Sequence, residues 1–168
     1  MKPVIGSTEE RPDSLDPASE DPARRWVAVF AEGWRAPADA EQFADHFEPW
    51  LRPEYRFSQP VLRTAVGRQA FREQFARPLF ALVSDMRGTI ESWGAGQDAV
   101  YIEMRVEGRV GRRPVTLRTC DRIILRDGLA ADRVAYSDPL PLLIAVAASP
   151  RVWSRAVRAL VQNVLTRG

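Results

Sequence analysis

The chain has 168 residues, 45% apolar and 27% charged, with 24 basic against 22 acidic side chains for a net charge of +2. That is room for one domain with a sizeable core, and hardly for two. A single cysteine, Cys120, excludes an intrachain disulfide framework or a cysteine zinc site. A single histidine, His46, argues against a His-rich metal centre and a Ser-His-Asp triad, so neither metal nor cofactor is expected.

Charge is unevenly spread. Residues 1–21 carry Lys2 and Arg11 against Glu9, Glu10, Asp13, Asp16, Glu20 and Asp21, a net −4, so the rest carries +6. No basic-aromatic stripe or helix-turn-helix pattern accompanies that excess, and nucleic acid is not expected as a partner. The opening residues lack the apolar core of a signal peptide, and the longest apolar run, Leu140 to Ala148, is short and contains Pro141. A soluble, cytoplasmic protein is the expectation.

Residues 1–21 are rich in Pro, Ser, Asp and Glu and read as a mobile tail. Asp21-Pro22 is a helix start, an acceptor followed by proline at the first helical position. Trp26, Val29, Phe30 and Gly33 or Trp34 recur at helical spacing. A second helix follows Asp39 to about Trp50, with Phe43, Phe47, Trp50 and Leu51 on its apolar face. His46 borders that face and reads as a half-buried histidine bonded to backbone or water. Tyr55 to Ser58 is a short strand. Gly67 opens a third helix to about Leu82, with Phe71, Phe75, Leu79 and Phe80 inward.

From there the period becomes two. Met86 to Trp93 is a strand. Ala99 to Glu107 puts Val100, Ile102, Met104 and Val106 on one face. After a turn at Gly108 to Gly111, Val115, Leu117, Thr119, Asp121, Ile123 and Leu125 share a face. A turn centred near Val110 and Gly111 would oppose Met104 to Leu117, Ile102 to Thr119 and Glu103 to Arg118. Arg126-Asp127-Gly128 is a tight turn, and a last strand runs from about Leu129 to Ser137. Helices before a meander of long strands give an α+β fold: a curved antiparallel sheet with the N-terminal helices over one apolar face.

The strings Trp26-Val27-Ala28-Val29-Phe30 with Gly33, Tyr55-Arg56-Phe57-Ser58-Gln59-Pro60, Gly67-Arg68-Gln69-Ala70-Phe71, Arg126-Asp127-Gly128 and Tyr136-Ser137-Asp138-Pro139 resemble the SnoaL-like branch of the nuclear-transport-factor-2-like superfamily. The resemblance spans about residues 22–139. It implies a cone-shaped half-barrel around a deep apolar pocket, a small hydrophobic ligand, and a homodimer. It also implies a cofactor-independent isomerase, cyclase or hydrolase acting on a hydrophobic carbonyl compound by general acid/base catalysis. The alternative is a non-catalytic ligand-binding or interaction module on the same fold.

Asp121 matches the aspartic acid that ketosteroid isomerases aim at the substrate oxygen. It is also the one carboxyl on an otherwise apolar strand face, where desolvation favours the protonated form. The isomerase tyrosine donor matches Trp26 here, and the general-base aspartate matches Gln59, which cannot abstract a proton. Near the epoxide-hydrolase aspartate-arginine-aspartate positions stand Tyr101, Glu103 and Ala135. Asp121 is the candidate acid or base of a SnoaL-like cyclase, with Arg133 as its partner or an oxyanion stabiliser; a purely structural pairing of Asp121 with Arg133 is the competing reading. Trp26, Phe30, Gln59, Met104, Leu117, Thr119 and Ser137 are the candidate ligand contacts. Two phases of the last strand remain open: Ala131, Arg133, Ala135 and Ser137 inward, or Asp132, Val134 and Tyr136.

The organisation expected is a tail over 1–21, a cone domain over 22–138 and an extension over 139–168. In the extension, Ser149-Pro150 starts a helix with Val152, Trp153, Ala156, Val157, Leu160, Val161, Val164 and Leu165 on one stripe and arginines around it. That stripe has three possible covers: its own domain, a partner subunit, or, through residues 150–167, an anionic membrane surface.

Overall fold

In the computed structural model the described residues are 15–60, 64–96 and 99–154. Helix α1 (Pro22–Arg35) starts as expected, with the Asp21 carboxylate accepting from the Ala23 N–H at 2.9 Å. Helix α2 (Ala40–Phe47) is capped in the same way by Asp39, and Pro49 helps turn the chain through a short 3-10 segment, Glu48–Trp50. Strand β1 (Leu51–Ser58) is longer than its sequence signal, and β2 (Ala65–Val66) is a two-residue edge. The third helical stretch comes in three pieces: α3 (Arg68–Ala70), a π-helical turn (Phe71–Ala76) and α4 (Arg77–Leu82). Pro78 has no N–H to give to a regular helix, and the widened π turn ahead of it accommodates that loss while keeping Phe71 and Phe75 buried.

Strands β3 (Ser84–Ala95), β4 (Val100–Val110), β5 (Arg113–Arg126) and β6 (Leu129–Ser137) form the meander. The sheet order is β2-β1-β6-β5-β4-β3. All neighbours are antiparallel except β1 and β6, which run parallel, so the sheet is mixed. The α+β class with N-terminal helices over a curved sheet is as the sequence implied.

The β4–β5 register is two residues away from the expected one. Met104 faces Thr119, Ile102 faces Asp121, Val106 faces Leu117, and Glu103 faces Cys120 rather than Arg118. The closing pair is Val110 with Arg113, and the loop is Gly111-Arg112. Only Gly111 takes a positive φ, 62°, the pattern of a turn that needs glycine at its first central position. A shift of two preserves the faces, so the apolar side stays inward.

The last strand turns Arg133, Ala135 and Ser137 to the inner face and leaves Tyr136 outside. Ala131 is not with them. The ladder pairs Ile124 with Asp132 and Leu125 with Ala130, so Ala131 is a bulge and Ala130 takes the inward place.

The core lies between the sheet's inner face and the helices. It is dominated by rings: Phe57 and Phe75 meet edge-on with centroids 4.6 Å apart, and Phe43 packs on Phe47 at 4.9 Å. Gly88 on β3 brings α1 close. A Cβ there would stand 2.7 Å from the Trp34 Cβ and 2.8 Å from the Met104 sulfur. His46 behaves as read: Nε2 donates to the Val29 carbonyl at 2.8 Å.

The apolar run after β6 is a helix of its own, α5 (Leu140–Ala147). It packs on β5 and β4. Asp138 accepts from the Leu140 N–H at 2.9 Å at its start. At its end Arg113 Nε donates to the Ala148 carbonyl at 3.2 Å, and Ser149 Oγ donates to the Val110 carbonyl at 3.3 Å. A short 3-10 turn, Pro150–Val152, follows, with Val152 buried and Trp153 exposed. The remainder of the expected amphipathic helix, and residues 1–14 of the expected tail, lie outside the described residues; Leu15 packs partly buried against the core. Among the described residues no helix is long and apolar enough to cross a membrane.

Candidate functional site

Asp121 sits mid-strand on β5 with no exposed surface, facing Ala135 on β6 and Ile102 on β4. Arg133 is two residues from Ala135, so it is the diagonal neighbour of Asp121, a separation a long side chain spans. Its Nε donates to Asp121 Oδ1 at 2.6 Å. Thr119, two residues back on the same face, donates its hydroxyl to Oδ2 at 3.0 Å. The carboxyl thus has a donor on each oxygen, and one of them is the cation named as its possible partner, Arg133.

Arg133 is itself only 4% exposed. Its guanidinium carbon lies 4.6 Å from the Phe57 ring centre, 4.8 Å from Phe30 and 5.9 Å from Phe75, so the aromatic core also holds the cation. Burial works against its charge, but the Asp121 carboxylate and the neighbouring Tyr55 hydroxyl outweigh burial, and its pKa ends above the ordinary guanidinium value. Burial pushes the Tyr55 hydroxyl well above its ordinary value, so it remains protonated at neutral pH.

Beside this pair lies a cavity of about 200 Å³ with mainly apolar walls. Met104 and Val106 of β4, Leu117 and Thr119 of β5, and Arg133, Ala135 and Ser137 of β6 form its sheet side. Gln59 and Pro60 come from the end of β1, and Trp34, Phe75 and Leu79 from the helices. Leu142, Leu143 and Val146 of α5 close it, with Asp138 at the junction.

Of the candidate contacts, Gln59, Met104, Leu117, Thr119, Ser137 and Arg133 line this cavity together. Trp26, Phe30 and Asp121 do not. Phe30 lies under the Arg133 guanidinium, and Asp121 lies behind Arg133 and Thr119. Trp26 is core, packed on Phe30 and Phe47, with an indole N–H that has no partner among the described residues. Trp34 and the α5 side chains were missed. The signal for α5 was present in an acceptor, Asp138, followed by Pro139 and an apolar run. Glu103 points outward, where it accepts from the Ser92 hydroxyl at 2.9 Å, and Tyr101 is exposed. Among the described residues no three His, Cys, Asp or Glu side chains gather as metal ligands would.

A curved sheet whose inner face and covering helices enclose an apolar cavity is the ketosteroid-isomerase-like fold. The sequence profile of the SnoaL-like domain matches residues 23–133, and the chain belongs to that family. Solved structures with the same fold include a protein of Jannaschia sp. CCS1 described as a SnoaL-like polyketide cyclase. It is 18% identical, with a TM-score of 0.66, over 84% of this chain and 99% of that one. An LEH-like epoxide hydrolase of M. tuberculosis is 17% identical, with a TM-score of 0.59, over 76% and 91%. TerC, co-crystallised with polyporic acid, is 17% identical, with a TM-score of 0.64, over 75% and 98%. No curated protein sequence matches the chain significantly.

Proposed function

We propose that this protein binds a small hydrophobic carbonyl compound and enolises it without a cofactor, in an isomerase- or cyclase-type reaction. The observation that carries this reading is a buried guanidinium forming part of an apolar cavity wall, fixed by Asp121 and by aromatic rings. A preorganised donor of that kind favours charge that develops on a carbonyl oxygen, because no solvent has to reorganise around it. Asp121 does not reach the cavity and is a positioning residue: it aims Arg133. The carboxylate on the cavity wall is Asp138.

In this reading the Asp138 carboxylate takes a proton from the carbon beside the carbonyl. The C–H electron pair forms a C=C bond, and the negative charge moves to the oxygen held by Arg133. Where a C=C bond of the substrate is conjugated with the enolate, return of the proton from Asp138 to the far carbon of that dienolate moves the double bond and restores the C=O, completing an isomerisation. Attack of the enolate carbon on a second carbonyl of the same molecule forms a C–C bond and closes a ring, the π pair of that carbonyl moves to its oxygen, and the alkoxide takes back the proton held by Asp138. The test uses β-tetralone in deuterated buffer: the protein should accelerate deuterium uptake beside the carbonyl, and Asp138→Asn should abolish that acceleration while ligand binding persists. Asparagine keeps a side-chain oxygen that can accept from the Leu140 N–H, so the helix start is retained.

One observation favours a second reading, a non-catalytic binding module: Asp138 is exposed and one of its oxygens is engaged by the Leu140 N–H. β-Tetralone binding with no deuterium uptake above buffer would establish that reading instead. We also propose the homodimer implied by the family resemblance; light scattering should return twice the chain mass of 18.9 kDa.

A further inference from the structure

We infer that the cavity selects uncharged hydrophobic carbonyl compounds over carboxylates of the same skeleton, and that Asp121 sets this preference by neutralising Arg133. The inference rests on the proposed binding of a ligand oxygen at Arg133 and names the chemical class that binding admits. An arginine on a pocket wall ordinarily reads as a carboxylate receptor, since its planar fork accepts two oxygens side by side. Here one prong of the fork is already engaged. Its Nε faces Asp121 Oδ1 at 2.6 Å, inside protein with neither partner more than 4% exposed. The guanidinium charge is therefore balanced before any ligand arrives. The other ionisable group on the cavity wall is Asp138, also acidic. Arg133, Asp121 and Asp138 together sum to −1.

A ligand carboxylate entering this site would surrender its hydration, a loss of several kcal/mol for a buried ion. It would gain little from a cation that already has its counter-ion, and it would meet two like charges. A ketone oxygen surrenders far less hydration and needs only one N–H donor, and Arg133 carries more N–H groups than the Nε–H given to Asp121 and the contact with the Tyr55 hydroxyl use. Thr119 does not compete for it, because its hydroxyl proton is committed to Asp121 Oδ2 at 3.0 Å. The apolar body of the ligand then rests against Met104, Leu117 and the α5 side chains Leu142 and Val146.

The experiment compares β-tetralone with the carboxylate of the same bicyclic skeleton by titration calorimetry at pH 7. The folded wild-type protein should bind the ketone at least tenfold more tightly. In Asp121→Asn the guanidinium loses its counter-charge, and the ratio should fall at least tenfold or reverse through tighter carboxylate binding. Asp138→Asn, at the helix start, removes the other negative charge without touching the buried pair, and should narrow the ratio by a smaller factor. The Asp138 variant keeps the comparison decisive where Asp121→Asn does not fold. Equal or tighter carboxylate binding by the wild type overturns the inference, as does an unchanged ratio in the variants that fold. Failure of both compounds to bind the wild-type protein instead removes the underlying reading of the cavity.

Discussion

The two faces of the β3–β6 meander carry the same kinds of charge in opposite settings. On the inner face, Asp121 and Arg133 are paired at 2.6 Å, both buried, with Arg133 meeting the cavity and Asp121 behind it. On the outer face, Arg105 and Arg118 stand directly opposite each other, and Glu91 on the next strand lies 3.4 Å from one and 3.5 Å from the other. The Arg118 side chain is 73% exposed. Water and salt screen the outer charges, and their arrangement is interchangeable with others. The inner pair has no such substitute. A counter-ion lost there is not replaced by solvent, so that pair is tied to stability and to ligand chemistry together.

The comparison can be broken most severely at Asp121. Asp121→Ala leaves a buried guanidinium without its partner and should lower unfolding free energy by about 3–5 kcal/mol in urea denaturation. A milder loss would mean that the pair is less sealed than its geometry indicates. Replacing both partners, Asp121→Leu with Arg133→Met, should recover most of that stability, since an apolar pair of similar volume avoids the desolvation of two ions. The same double variant should lose β-tetralone binding, which separates what the pair does for folding from what it does for the ligand.

On the outer face, Glu91→Gln removes the bridge between the opposed arginines and should cost under about 1 kcal/mol, shrinking further as salt is added. The smallest expected effect concerns the exposed cluster on α2 and α4. Hydrogen bonds from Arg77 and then Arg72 hold the Glu41 carboxyl at about 2, against an ordinary value of 4.5. A depressed carboxyl favours folding above its unfolded value, and that contribution fades as pH falls from about 4.5 through about 2. Carbon-detected NMR titration should place the Glu41 midpoint near 2 and move it upward in Arg77→Gln.

Much of the fold was legible because alternation is a robust signal. Val100, Ile102, Met104 and Val106 could only be one side of a half-buried strand, and a charged residue among apolar ones, Asp121, marked itself. Register was less legible: it depends on which two residues make the turn, and Gly108 and Gly111 offer competing centres. The phase of β6 was open because a bulge breaks the alternation that would have reported it. The environment of Asp121 followed from that phase, which decided between its two readings by turning Arg133 inward to pair with it. The cavity's closing side was hidden because α5 has too little polar contrast for its inward face to stand out in sequence.

The bulge at Ala131 has a consequence for how this chain can change length. Because Ala131 has no opposite number on β5, deleting it would let Asp132 follow Ala130 in an unbroken ladder and leave Arg133 aimed as before. Adding one residue between Asp132 and Arg133 would instead swing the cation out of the hollow and strand Asp121 within it. Insertions and deletions a single codon long, a few ångströms apart, should therefore be silent at one site and ruinous at the next.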